Sequence, residues 1–126
     1  MQFPADLRYT REHEWLRLTG ENEALVGITD FAQHELGDIV YIDIPTVGQT
    51  LPAGAVFGSV EAVKTVSDLY LPVSATILEK NPVLQDQPEK VNQDPYGEGW
   101  LIRIRVEKAE EIEQLMTAEA YQALIG

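Results

Sequence analysis

Among the 126 residues, few side chains have both the type and the setting to do chemistry, and Lys64 is the first of them. In VEAVKTVSDLYLPV it is one cation in an apolar, β-like stretch, with Glu61 and Asp68 as the nearest charges along the chain. A lone lysine in such a run commonly guards a strand edge against pairing with another chain. The other chemistry open to it is covalent modification, since an amine on a long flexible stem is what an attaching enzyme can reach. The apolar runs Ala55–Val63 and Thr65–Val73 on either side are alike in length and character. They read as two arms meeting at a tight turn with Lys64 at the tip, where a rigid scaffold presents functional groups.

Other chemistry finds little support. His13 and His34 fall in different expected elements, without ligand neighbours at metal-binding spacing. His13 is expected in a strand that turns Glu14 to the opposite face, and both histidines read as ordinary surface or half-buried residues. GEGW, Gly97 to Trp100, resembles part of a phosphate loop but lacks the third glycine and runs into a strand rather than a helix. The acidic stretch Asp86–Glu98 is broken by prolines and lacks calcium-loop spacing. Glu107, Glu110, Glu111 and Glu113 read as a solvated helix face suited to the macrodipole. Without cysteine the chain has no thiol nucleophile, CxxC couple or thiolate metal site, and it fits a reducing compartment.

The elements that must position Lys64 are legible in outline. HEWLRL and ALVGIT flank the polar turn TGENE and predict a hairpin. In TDFAQHELG, Asp30 is the expected cap of a short helix, Gln33 its capping-box partner and Gly37 its end. Asp38–Ile44 and ATILEK predict strands, with PTVGQTLPAG as a turn-rich connector. Asn81–Gly99 is an ordered surface loop pinned by Val83, Leu84 and Val91. In WLIRIRV, Ile102, Ile104 and Val106 alternate with Arg103 and Arg105. From Glu107 the pattern becomes helical, and Thr117 caps a last helix whose Tyr121, Leu124 and Ile125 form an apolar stripe. The expectation is one mainly β domain over residues 1–126, a sandwich or flattened barrel, with a helical appendage at about 107–126.

Composition narrows the partners. With 44% hydrophobic and 24% charged residues, the chain has the make-up of a globular domain able to bury a core. A net charge of −12, from 21 acidic and 9 basic side chains, disfavours nucleic acid and anionic membrane. Proteins with basic docking patches are the better match, although acidity also simply favours solubility. MQFPADLRYT has no basic start or apolar run of the signal-peptide kind, so the cytoplasm is the expected compartment; an organelle would require a targeting segment already removed.

Several segments, in order from Leu7 to Val106, resemble the glycine cleavage H-protein family: HEWLRL, GITDFAQHELGDIVYIDIPTVG, VEAVKTVSDLYLPVSATILEKN and VNQDPYGEGWLIRIRV. A helical tail of the family's kind follows. The resemblance implies a lipoyl/biotinyl-carrier-like barrel-sandwich hybrid of two small antiparallel sheets, with a short internal helix and C-terminal helices. It implies lipoic acid bound covalently to Lys64 as lipoyl-lysine, and a carrier rather than a catalyst. The implied partners are a pyridoxal-phosphate glycine decarboxylase that loads an aminomethyl group, a tetrahydrofolate-dependent aminomethyltransferase that unloads it, a dihydrolipoamide dehydrogenase that reoxidises the dithiol, and the lipoate-attaching enzyme. Glu12, Glu14, Ser67 and Asp68 are implied to lie near the arm, with Glu14 and Asp68 expected to matter most for a cationic load. A monomer is the expected state.

Two departures from the family's pattern stand out. Ala62 replaces a usual serine two residues before the lysine, which bears on contact with the attaching enzyme, and Ala75 in PVSAT replaces a usual glycine, which requires a turn without positive φ. Biotin carriers place methionines beside the lysine, where this chain has Val63 and Thr65, and lipoyl domains of 2-oxo-acid dehydrogenases carry Asp-Lys-Ala. An unmodified interaction or lipoate-relay protein of the same fold is the reading from a different class.

Overall fold

The computed structural model describes residues 1–126. Its strands are β1 (Arg8–Tyr9), β2 (Glu14–Leu18), β3 (Glu23–Ile28), β4 (Ile39–Asp43), β5 (Thr50–Leu51), β6 (Val56–Ala62), β7 (Val66–Tyr70), β8 (Ala75–Lys80) and β9 (Ile102–Val106). They form a six-stranded sheet in the order β1-β2-β3-β9-β8-β5 and a three-stranded sheet in the order β4-β6-β7. Every pairing is antiparallel, and neither sheet closes into a barrel. The expected mainly β, two-sheet hybrid is therefore what forms.

Strand alternation explains what lies between the sheets. Leu16, Ala24, Val26, Ile102 and Ile104 of the large sheet pack with Ile39, Phe57, Val60 and Leu69 of the small one, in a cluster of 19 buried residues. Trp15 points to the opposite face of the large sheet. There a second cluster gathers it with Leu7, Tyr9, Tyr96, Ala118 and Tyr121. Trp15 sits across from Gly27, and its indole lies where a Cβ on Gly27 would come within 2.6 Å of it, so only glycine fits. The indole Nε1 donates to the carbonyls of both Ile28 and Pro95 at 3.0 Å, so the bulky ring is buried without an orphaned donor.

The short helices differ in detail from the sequence reading. α1 (Asp30–Leu36) is capped by Thr29, whose Oγ1 accepts from the Ala32 amide, one residue earlier than expected. Gln33 closes no capping box; it donates to Asp30 and accepts from Asn92. Gly37 ends the helix at φ 78° as anticipated. The connector after β4 contains β5, because Thr50 and Leu51 find Thr76 and Ala75 as ladder partners. The loop Asn81–Gly99 holds α2 (Val83–Asp86) and α3 (Lys90–Gln93), pinned by buried Leu84 and Val91 while Val83 is exposed. Residues 109–114 form a 3-10 turn rather than an α-helix. Within that turn Glu111 is not a solvated acid: it accepts from the Ser74 amide at 2.7 Å and the Ser74 hydroxyl at 3.2 Å. α4 (Ala118–Ile125) begins at Thr117 as expected; it buries Tyr121 completely but leaves Leu124 exposed. No helix is long and apolar enough to cross a membrane.

Candidate functional site

β6 and β7 form the hairpin anticipated around Lys64. Glu61 pairs with Val66, and the Ala62 amide donates to the Thr65 carbonyl at 2.8 Å, so Val63 and Lys64 make the turn. Neither takes a positive φ. A second backbone bond, from the Val63 amide to the Asp38 carbonyl at 3.0 Å, ties the tip to the start of β4. Lys64 is exposed, forms no salt bridge, and is flanked by the exposed apolar side chains of Val63 and Val66. The backbone thus fixes the root of this side chain and leaves its amine exposed and unpaired. Ala62 is buried, so its side chain does not present the surface an attaching enzyme would touch, contrary to the expectation drawn from it. Ala75, buried at the start of β8, has no positive φ, as its substitution for glycine requires.

Beside β7 lies a cleft of about 230 Å³. Ile28, Phe31, Leu36, Val60 and Leu69 supply apolar lining, and Glu12, Glu14, Glu35 and Asp68 supply carboxyl groups. Lysine and arginine contribute nothing to its walls. Glu12, Glu14, Ser67 and Asp68, the residues named from sequence, all line this one cleft. Ser67 and Asp68 follow Lys64 by three and four positions on the strand leaving the turn, which at ~3.3 Å per strand residue sets them about 10–13 Å along it.

The four are not equivalent. Glu12 and Asp68 are exposed on the rim, and Ser67 is half-buried, its hydroxyl donating only to the Asp68 carbonyl at 3.4 Å. Glu14 is 1% exposed. It shares its face of β2 with Leu16, so it points between the sheets. There one carboxyl oxygen accepts from the Tyr70 amide of β7 at 2.8 Å and the other lies 3.5 Å from the Thr10 hydroxyl. Burial pushes its pKa up to about 8, Glu12 adds to the rise, and the two hydrogen bonds oppose it. Near neutral pH the Glu14 carboxyl is therefore largely protonated unless a cation reaches it.

The sequence reading misplaced His13. It lies not in the strand but in the loop before it, where the Thr10 amide donates to the Glu14 carbonyl at 2.9 Å and the His13 amide to the Thr10 carbonyl at 3.1 Å. This is a three-residue hairpin loop whose last residue must go left-handed, and His13, at φ 70°, is the only non-glycine residue with a positive φ. The twist sends His13 to the same cleft as Glu14 instead of the opposite face. Its Nδ1 lies 2.8 Å from the Tyr121 hydroxyl, and burial lowers its pKa. Phe31, Glu35 and Leu36, which build the α1 wall, were not singled out from sequence either. A possible signal for them was their spacing on one helix face; for His13, the loop preceding β2 offered none.

The cleft's chemistry suits a ligand with an apolar body and a cationic end. Exposed carboxyl groups ring it, a buried one sits at its base, and its floor is hydrocarbon. Comparison with known proteins gives the family. The family model described as glycine cleavage H-protein matches residues 7–126. The glycine cleavage system H protein of Bacteroides thetaiotaomicron is 58% identical over 126 residues, covering 100% of this chain and 99% of that one. Its counterpart in Geobacillus kaustophilus is 53% identical, covering 100% and 98%. The crystal structure of a glycine cleavage system H protein from Mycobacterium marinum superposes with a TM-score of 0.89 at 40% identity, covering 98% of each chain. The chain belongs to the glycine cleavage H-protein family.

Proposed function

We propose that this protein is the lipoyl-lysine carrier of the glycine cleavage system, with its cofactor attached at Lys64. On this reading it carries the aminomethyl group of glycine from the decarboxylase to the aminomethyltransferase and presents the resulting dithiol to dihydrolipoamide dehydrogenase. It acts without catalysis of its own, as a single-domain monomer in the cytoplasm, and its binding partners are proteins rather than nucleic acid or membrane. The observation that carries the proposal is the pairing of an exposed, unpartnered amine at the tip of a braced hairpin with an acid-walled apolar cleft along the strand that follows. Family membership supports it.

The residues present fit the group. Lys64 has an unpaired amine for an amide bond, and the cleft offers hydrocarbon for the chain of a lipoyl arm. When bound, lipoic acid supplies a disulfide that can accept a one-carbon unit and be regenerated by oxidation. The protein's own part is to hold and shield. Ile28, Phe31, Leu36, Val60 and Leu69 keep water from the cleft floor. Glu14 supplies a carboxyl that a cationic amine would draw into its ionised form, releasing a proton to solvent, while Asp68 and Glu12 guard the rim. Tethering three encounters to one arm raises the effective concentration at each partner site.

Intact mass spectrometry of protein incubated with lipoate, ATP and a lipoate-attaching enzyme tests the attachment, beside Lys64→Arg. A lipoyl increment in the wild type and none in the variant is the expected result. No increment under conditions that modify a control carrier would overturn the proposal in favour of an unmodified interaction protein.

A further inference from the structure

Resting on the carrier reading, we infer that Tyr121, from the last helix, is a positioning residue for the cleft: its hydroxyl joins the two walls by locking the His13 ring to the cap of α1. The observation is a short chain of hydrogen bonds across three separate parts of the sequence. The Tyr121 hydroxyl lies 2.8 Å from His13 Nδ1 and 2.8 Å from Thr29 Oγ1, and Thr29 Oγ1 also accepts from the Ala32 amide. His13 belongs to one wall of the cleft; Thr29 starts the helix that supplies Phe31, Ala32, Glu35 and Leu36 to the other.

Proton accounting gives the chain a direction. Thr29 is fully buried and its hydroxyl has one hydrogen, for which Tyr121 is the sole acceptor in reach. Thr29 therefore donates to Tyr121, and Tyr121 donates to His13 Nδ1, which must be the unprotonated nitrogen. The reverse direction leaves a buried hydroxyl hydrogen without a partner, which costs more than the bond itself contributes. The arrangement favours neutral His13 with its proton on Nε2. Burial acts the same way on His13, against the acidic groups around it: Glu12 on its own loop and Glu35 on α1 raise its pKa, and Glu14 and Asp68 share the cleft.

The phenol ring holds its place independently of the hydroxyl. It stacks on Tyr9 with centroids 4.9 Å apart and planes 9° from parallel, and it meets Phe3 and His13 edge-on at 5.9 Å and 5.7 Å. Tyr121→Phe should thus keep the ring packing of the second core while removing the link to His13, and it also takes away the acceptor of the buried Thr29 hydroxyl, a loss of stability that thermal unfolding reads separately. This separates positioning from packing. The left-handed backbone of His13 makes such a link useful, since a side chain on a strained loop residue has no strand ladder to fix it.

The test uses full-length lipoylated protein, wild type and Tyr121→Phe, with thermal unfolding to confirm that the variant stays folded. Nitrogen NMR of the His13 ring should show unprotonated Nδ1 in the wild type. In the variant the ring should lose that single tautomer and titrate at higher pH. Loaded with the aminomethyl unit and separated from the decarboxylase, the variant should lose its mass increment to water about two- to tenfold faster, the range one hydrogen bond can set. Because Tyr121 acts through His13, the effect on that loss should shrink when both proteins also carry His13→Asn, a residue that tolerates the left-handed loop position. An unchanged His13 titration, an unchanged loss rate, or full additivity with His13→Asn would each overturn the inference while lipoylation at Lys64 stands. Failure of the wild type to be lipoylated would instead remove the carrier reading, and this inference with it.

Discussion

Two hairpins contribute to the cleft, and their loops are built on opposite principles. The β6–β7 turn carries Lys64 outward: its side chains are exposed, and it is held by two backbone hydrogen bonds, Ala62 to Thr65 and Val63 to Asp38. The β1–β2 loop and the first residue of β2 carry His13 and Glu14 inward: these two side chains are bonded to Thr10, Tyr70 and Tyr121, and the loop backbone passes through a left-handed residue. One loop leaves a group free to travel and fixes only where it starts. The other fixes the groups themselves. The proposed carrier function calls for both, since an arm that is to be released and recaptured must be loose at its root and meet a rigid receptor. The difference also shows in the cost of each design, for the inward loop stores a buried acid and a strained residue while the outward loop stores neither.

The largest effect that would sharpen this contrast is expected at Glu14. Burial raises its pKa in the folded state from the ordinary 4.5 to about 8, so folding favours the protonated form. That contribution is complete below pH 4.5 and is lost as pH rises through about 8. Denaturant unfolding from pH 5 to pH 9 should therefore show wild type losing ground against Glu14→Gln up to about pH 8, with a limiting slope of about 1.4 kcal/mol per pH unit, and levelling off above it. A flat difference across that range would mean that the carboxyl is better solvated than its 1% exposure indicates.

A smaller effect is expected at His13. Since its φ is 70°, His13→Gly should be more stable than His13→Ala by about 1–2 kcal/mol, the reverse of the usual ranking away from turns. Chemical denaturation of both variants reads this directly; equal stabilities would show that the loop relaxes once the ring is gone. At the outward loop the effect should nearly vanish. Lys64→Arg, Val63→Ser and Val66→Ser remove only exposed side-chain groups and should each shift unfolding by no more than ~0.5 kcal/mol. A loss above ~1 kcal/mol at any of the three would erase the distinction between the loops, because the tip would then be packing against something.

How much was legible beforehand follows the range of the interactions involved. The hairpin around Lys64 could be read because two β-like runs of similar length flank a single cation, and the contacts that close it are local in sequence. The alternation of Ile102, Ile104 and Val106 was equally plain, since a period of two is imposed by the strand itself. The cap of α1 was misplaced by one residue because Thr29 and Asp30 are both good caps, and the choice fell to the hydroxyl that Tyr121 also uses. Where a helix was expected after Glu107 a 3-10 turn forms, and Glu111 within it bonds the backbone of Ser74, a partner 37 positions away that local patterning does not reveal.

The sequence by itself determined the two-sheet plan, the hairpin and the exposed lysine, and its motifs pointed to four of the residues that line the cleft, Glu12, Glu14, Ser67 and Asp68. The β-rich plan, the hairpin and the exposed lysine rest on patterning and turn chemistry, which act over a few residues and leave their mark in the order of the amino acids; the division into two sheets and the four cleft residues were implied by the resemblance to a family. Only the tertiary structure decided that Glu14 would be buried against Tyr70, that His13 would turn into the cleft, and that the C-terminal helix would reach it through Tyr121. Those outcomes depend on desolvation and on hydrogen bonds between residues 56 and 108 positions apart, and neither exists until the chain has closed on itself.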